Sequence, residues 1–185
     1  GYTVGVLVQT NFGGILTICG APVGRELGRY SFRRNLPYDI PETKDSEGSD
    51  GSVMVVVATD APLDQRQLQR LAKRASLGLA RTGFFGSNGS GDFFIAFSTQ
   101  ERIPHNSPLT LKTEVVSNDS MSALFLAVVE ATEEAVINSM LRATTVIGRD
   151  DETCDAIDIQ QLLEVMKKYN ALNWSKRIRP SDHVK

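Results

Sequence analysis

Residues 53 to 58, Val-Met-Val-Val-Val-Ala, form an unbroken apolar run between Ser52 and Thr59. A short, β-branched run with no polar alternation reads as a strand covered on both faces, because a wet face would show polar side chains at every second position. The run begins abruptly. Residues 36 to 51, LPYDIPETKDSEGSDG, contain two prolines, two glycines, five acidic residues and one lysine. Such a segment cannot build a core and reads as an exposed, mobile loop. The run stops as sharply, at Asp60-Ala61-Pro62. A chain of 185 residues, 41% of them apolar, can bury a core around this strand, and the length suits one domain or a little more.

The rest of the chain supplies the layers that such a strand needs. Tyr2 to Gln9 alternates like a strand, Asn11-Phe12-Gly13-Gly14 breaks it, and Ile15 to Cys19 reads as its hairpin partner. Residues 63 to 80 place Leu68, Leu71, Ala75 and Leu79 on one helical face, with Arg and Lys opposite. After the loop GSNGSG (86 to 91) comes a strand at 92 to 99. Residues 119 to 143 predict a helix capped by Asp119 or Ser120, with Leu124, Phe125, Val128, Ala131, Ala135 and Met140 on a broad apolar face and a deeply buried first half. A last helix, 157 to 169, carries Ile159, Leu162, Leu163, Met166 and Tyr169, and the basic tail after it reads as a solvated end. The order suits an α+β protein in which sheets pack together with helices outside.

Several function classes are excluded or left without support. Twenty Lys+Arg against 22 Asp+Glu give a net charge of −2, so there is no basic excess for nucleic acid. No apolar stretch approaches the roughly 18 residues that a membrane-spanning helix needs. Residues 1 to 11 lack the features of a signal peptide, and the distant Cys19 and Cys154 suit a reducing cytoplasm better than a disulfide framework. Sequons at Asn88, Asn118 and Asn173 carry little weight without a secretory signal. Only His105 and His183 are available for a histidine-based site. His105 reads as a surface residue, Glu130, Glu133 and Glu134 as the wet side of a helix, and no spacing supports a metal site.

Three places can carry chemistry. At Gly51-Ser52 an acidic loop runs into a buried strand whose first residue is a serine. If the peptide bond between them were cut, Ser52 would hold a free α-amine beside its own hydroxyl. An α-amine with a pKa of about 7.7–8.0 is partly neutral at working pH and can accept the hydroxyl proton without a histidine. Glycine before the serine tolerates the strained geometry of an N-to-O acyl shift. Gly-Ser is also a common dipeptide at a loop-to-strand junction, and the residues alone leave both readings open. Ser90 and Asp92, at the mouth of the following strand, can relay a proton or can belong to an ordinary turn. The loop before them lacks the ending of a phosphate loop and leads into a strand. The Asn11 amide can donate to an oxyanion or can be a turn asparagine.

Together, GYTVGVLVQTNFG, DGSVMVVVATDAPL, LQRLAKRASLGLARTG, NGSGDFFIAFST and ALFLAVVEATEEAVINSML resemble the L-aminopeptidase/D-esterase family, also called DmpA-type or β-peptidyl aminopeptidases. The match runs in the same order over most of residues 1 to 148. The resemblance implies an αββα sandwich similar to N-terminal nucleophile hydrolases but with different connectivity. It implies a precursor that cuts itself at Gly51-Ser52, leaving 1–51 as the end of an α-chain and 52–185 as a β-chain, together one structural domain. Ser52 then matches the nucleophile, Ser90 the second active-site serine, Asp92 the acidic residue two positions on, and Asn11 the oxyanion asparagine.

The activity so implied is hydrolysis of peptides, amides or esters bearing a free N-terminal amine, with no metal or organic cofactor. The implied partners are an upstream α-chain segment, which supplies part of the sandwich and the amine-binding residues, and further copies in a homo-oligomer. No nucleic acid or membrane partner is implied. Two alternatives stand beside this reading: a non-catalytic or unprocessed assembly partner, and an acyltransferase like the ornithine acetyltransferases, which use threonine where this chain has Ser52.

Overall fold

The computed structural model describes residues 1–33, 51–100 and 103–172. The acidic loop expected at 36 to 51, apart from Gly51, and the basic tail beyond 172, with the Asn173 sequon and His183, lie outside the described residues. The elements run β1 (Val4–Asn11), α1 (Val23–Glu26), β2 (Ser52–Thr59), α2 (Gln65–Arg81), β3 (Phe93–Ser98), a 3-10 turn (Asn118–Ser120), α3 (Met121–Leu141), β4 (Val146–Ile147), β5 (Thr153–Cys154) and α4 (Ile159–Lys168).

The apolar run becomes β2, the central strand of a three-stranded sheet ordered β1-β2-β3. β1 runs antiparallel to it, from Val4 opposite Thr59 to Asn11 opposite Ser52. β3 runs parallel, with Met54 opposite Phe93 and Thr59 opposite Ser98. Parallel pairing needs a long crossover, and α2 supplies it. Asp64 starts that helix with a reciprocal cap: its carboxylate accepts the Gln67 N–H at 2.7 Å, and Gln67 Oε1 accepts the Asp64 N–H at 3.1 Å.

β1 does not pair with Ile15–Cys19 as expected. That segment forms a single bridge, Ile18 to Ala21. Its backbone is bound instead to the end of α2, with Ile15 N–H on the Gly83 carbonyl and Thr17 N–H on the Thr82 carbonyl, each at 3.1 Å. Two consecutive glycines after Phe12 release the chain from the sheet, and the eight-residue β2 offers β1 a longer apolar ladder.

One face of the sheet is the core. Val53, Val55, Val57 and Thr59 are buried there beneath Leu71, Ala75 and Leu79 of α2 and Met121, Leu124, Val128 and Val136 of α3. The two helices touch at Gly78, where an added Cβ would lie 2.5 Å from the Val129 carbonyl oxygen. The first turns of α3 are one-sided rather than sunk throughout. Met121 and Leu124 are buried, but Leu126 is 51% exposed because it points away from both α2 and the sheet. Ser120 occupies the position before α3 without a side-chain capping bond.

The other face of the sheet is open among the described residues. Leu7 is 72% exposed, Met54 51%, Phe93 66% and Ile95 58%. The two-sided covering expected for β2 is therefore supplied on one side. A smaller core lies apart from the main one, where Leu162, Val165 and Met166 of α4 meet Ile18, Ala21 and Val23. Ile159 and Tyr169, expected inside, are exposed, and Val165 takes the interior position.

Candidate active site

Asn11 and Ser52 come from opposite ends of their strands in sequence, yet the antiparallel register sets them directly across from each other. Directly opposed residues share a face, and here it is the open one, where Asn11 is exposed and Ser52 half-buried. Gly51, one residue earlier, is buried. A Cβ there would lie 2.2 Å from the Asn11 carbonyl oxygen and 2.4 Å from Phe12 Cα, so only glycine fits.

Ser90 and Asp92 reach the same end of the sheet from the loop that leads into β3. Extending the parallel register by two residues sets Gly91 opposite Ser52, and the Gly91 N–H donates to Ser52 Oγ at 3.2 Å. Ser90 Oγ donates to Asp92 Oδ1 at 2.7 Å, and the Ser90 N–H donates to the Ser87 carbonyl at 2.9 Å, which closes the turn. An added Cβ at Gly91 would sit 3.3 Å from Ser52 Oγ, so the serine hydroxyl lies against bare backbone. The expected residues come from three segments that meet at this end of the sheet: Asn11 lies across from Ser52 by strand register, and Ser90 and Asp92 flank Gly91, whose N–H reaches the Ser52 hydroxyl. The Gly91 N–H is a group that residue types alone do not point to: its signal is a glycine between two polar side chains at the start of a strand, and its meaning depends on the β2–β3 register.

An aromatic pair underlies the site. The Phe12 and Phe84 rings meet edge-to-face with centroids 4.9 Å apart. A Cβ at Gly86 would lie 3.7 Å from the Phe84 ring and 3.8 Å from Asp92 Oδ2. A separate polar contact joins α1 to α4. Lys168 and Tyr169, hydrogen-bonded to Glu26 at 2.7 and 2.5 Å, hold its carboxyl below the usual value and are themselves raised. The backbone N–H of Gln161 and Gln160 lowers Asp158 at the cap of α4. A cleft of about 240 Å³ between α1 and α4, lined by Glu26, Leu27, Gln161, Glu164, Val165 and Lys168, contains none of the site residues. His105 is exposed, as expected. Among the described residues no helix is long and apolar enough to cross a membrane.

Comparison with known proteins fixes the context. Residues 1–154 match peptidase family S58. The chain belongs to peptidase family S58. A β-peptidyl aminopeptidase, BapA, of Sphingosinicella microcystinivorans is 41% identical over an alignment of 189 positions that covers 95% of this chain and 46% of that protein. A crystal structure of a Pyrococcus horikoshii OT3 protein superposes with a TM-score of 0.76 at 45% identity, over 91% of this chain and 43% of that one. The Ochrobactrum anthropi L-aminopeptidase D-Ala-esterase/amidase, described as a prototype serine aminopeptidase and a new variant of the Ntn hydrolase fold, gives 0.67 at 32% identity over 91% of this chain and 48% of that one. The S58 chain thus has the α+β architecture of Ntn-hydrolase aminopeptidases, and it spans less than half the length of the relatives it matches. Its α4 lies beyond residue 154, where the family match ends.

Proposed function

We propose that this S58 chain carries the nucleophile of a self-processing serine aminopeptidase that hydrolyses peptides, amides or esters with a free N-terminal amine. The observation that carries the reading is the convergence on Ser52: a buried glycine with no room for a Cβ before it, Asn11 across from it, and the Gly91 N–H on its hydroxyl.

In the self-cleavage step, Ser52 Oγ attacks the Gly51 carbonyl carbon and the Gly51–Ser52 C–N bond breaks. The hydroxyl proton ends on the released amine, and an ester links Gly51 to Oγ. Water then cleaves that ester, leaving a carboxylate on Gly51 and a free amine and hydroxyl on Ser52. The fragments 1–51 and 52–185 remain joined through the eight-residue β1–β2 ladder.

In turnover, the neutral α-amine accepts the Oγ proton as Oγ attacks the substrate carbonyl. Ser90 and Asp92 orient the amine and carry its proton onward. The Asn11 amide and the Gly91 N–H donate to the oxyanion, each such donor being worth about 2.7–4 kcal/mol when aligned. The leaving amine departs with the proton, and water releases the acyl group from Oγ. An upstream segment completing the open sheet face, and further copies forming a homo-oligomer, belong to the same proposal.

Intact-mass measurement tests the first step. The protein should divide between Gly51 and Ser52, and Ser52→Ala should stay in one piece and inactive. Division of that variant at the same bond would remove Ser52 as the processing nucleophile. An ester intermediate should appear as a burst of leaving group in pre-steady-state assays of the processed enzyme.

A further inference from the structure

Two exposed phenylalanines that the mechanism does not use stand against each other, one in the segment held to the turn after Asn11 and one in the loop that leads to Ser90. Phe32 is 62% exposed and Phe85 48% exposed, yet their ring centroids are 5.6 Å apart at a tilt of 39°. They come from two separate segments, and each segment is fixed to one half of the site. The Ser31 N–H donates to the Gly14 carbonyl at 2.9 Å, and a Cβ on Gly13 would lie 3.1 Å from Ser31 Oγ, so Phe32 follows a residue clamped to the turn after Asn11. Phe85 lies between Phe84, whose ring packs on Phe12, and Gly86, whose Cβ position is 3.8 Å from Asp92 Oδ2. The ring pair thus bridges the two loops that present Asn11 and the Ser90–Asp92 pair.

Phe32 holds this place in an unfavourable conformation. Its φ is +64°, a left-handed value that a bulky residue adopts only when its surroundings impose it. A polar residue or glycine would satisfy that turn more easily, and folding alone does not call for a large apolar ring left mostly in water. We infer that Phe32 and Phe85 form an aromatic ledge at the mouth of the site that binds an apolar or aromatic group of the substrate, making them specificity-determining residues for the reaction proposed above. The inference rests on that reading of Ser52. A face of two tilted rings receives an apolar side chain or an aromatic leaving group by dispersion and edge-to-face contact, and gives nothing to a small or charged one.

Phe32→Gly and Phe85→Ala test this in the processed enzyme. The glycine variant removes the ring and relieves the backbone, so it should fold at least as well as the parent. Kinetics would be compared on glycinamide and alaninamide, on phenylalaninamide and leucinamide, and on alanine p-nitroanilide. The first two lack a large group, the next two have one on the acyl side, and the last has one on the leaving side. Each variant should lose about three- to ten-fold in kcat/KM on the same one of the two sets of large substrates, acyl-side or leaving-side, mostly through KM, and keep its activity on glycinamide and alaninamide. Which of the two sets falls identifies the side on which the ledge acts. Phe85→Trp should keep the preference. Equal loss on every substrate, or unchanged ratios, would overturn the ledge while leaving Ser52 as nucleophile. A parent enzyme that divides at Gly51-Ser52 but hydrolyses none of the substrates would overturn the ledge and the aminopeptidase reading together.

Discussion

An alanine at position 51 would bring its methyl carbon to 2.2 Å from the Asn11 carbonyl oxygen, well inside contact distance. The strand end would have to shift by an ångström or more, and Asn11 would move with it. Gly51→Ala should therefore cost about 1–3 kcal/mol in stability, as overpacking does, and should slow or stop division of the chain at Ser52. Thermal melting and intact mass measured together check this. A variant that melts like the parent and divides at the same rate would show that the close approach is not needed. Gly91 is under a milder version of the same constraint, since its Cβ would meet the Ser52 hydroxyl at 3.3 Å and the Phe93 ring at 3.9 Å. These two glycines matter for space rather than for backbone conformation, which a reading of loop composition does not reveal.

At the scale of elements, the α2–α3 crossing depends on Gly78, where a Cβ would lie 2.5 Å from the Val129 carbonyl oxygen and 2.7 Å from Thr132 Cβ. Gly78→Ala raises helix propensity by about 1 kcal/mol but forces the helices apart, so a net destabilisation of roughly 1–3 kcal/mol is expected in denaturant titration. Increased stability would mean that the crossing relaxes without cost. The contact between α1 and α4 makes a different prediction. Glu26 titrates below its ordinary 4.5, so its contribution is present above that value and lost as pH falls through the lowered one. Tyr169 and Lys168 titrate above 10.0 and 10.5, so their contributions are present below those values and lost as pH rises through the raised ones. All three groups are solvent-exposed, so the effect is small and sensitive to salt. The difference in melting temperature between the parent and Glu26→Gln should be flat near neutrality and shrink at both pH extremes. A difference that does not change with pH would exclude an electrostatic origin.

For the molecule as a whole, the sheet face left open among the described residues is the dominant feature. Leu7, Met54, Phe93, Ile95 and Phe97 present large side chains to solvent at one level, and monomeric proteins rarely leave such a contiguous surface bare. The 185-residue chain produced alone should self-associate or bind a hydrophobic dye, and the double change Phe93→Lys, Ile95→Lys should reduce both without unfolding the helical side. Light scattering and dye fluorescence measure this. A monodisperse chain that ignores the dye would show that the face is tolerated in water. Asn11 and Ser52 lie at the end of this face, so whatever covers it also bounds the site.

Much of this was legible in the residues. The unbroken apolar run required a central strand, and the spacing of Leu71, Ala75 and Leu79 required a helix with one buried face, because burial of apolar side chains follows the period of the backbone. The Gly-Ser junction and the Ser-x-Asp pair were visible as chemistry, since residue types alone carry acid, base and nucleophile character. Register was not legible. That Asn11 lies across from Ser52, that Gly91 aims its N–H at the same hydroxyl, and that Ile15–Cys19 leaves the sheet for the end of α2 depend on hydrogen bonds between segments dozens of residues apart. Local sequence sets which backbone each segment prefers. Only the closing of the sheet decides which segments become neighbours, and that pairing turned four scattered residues into a candidate site.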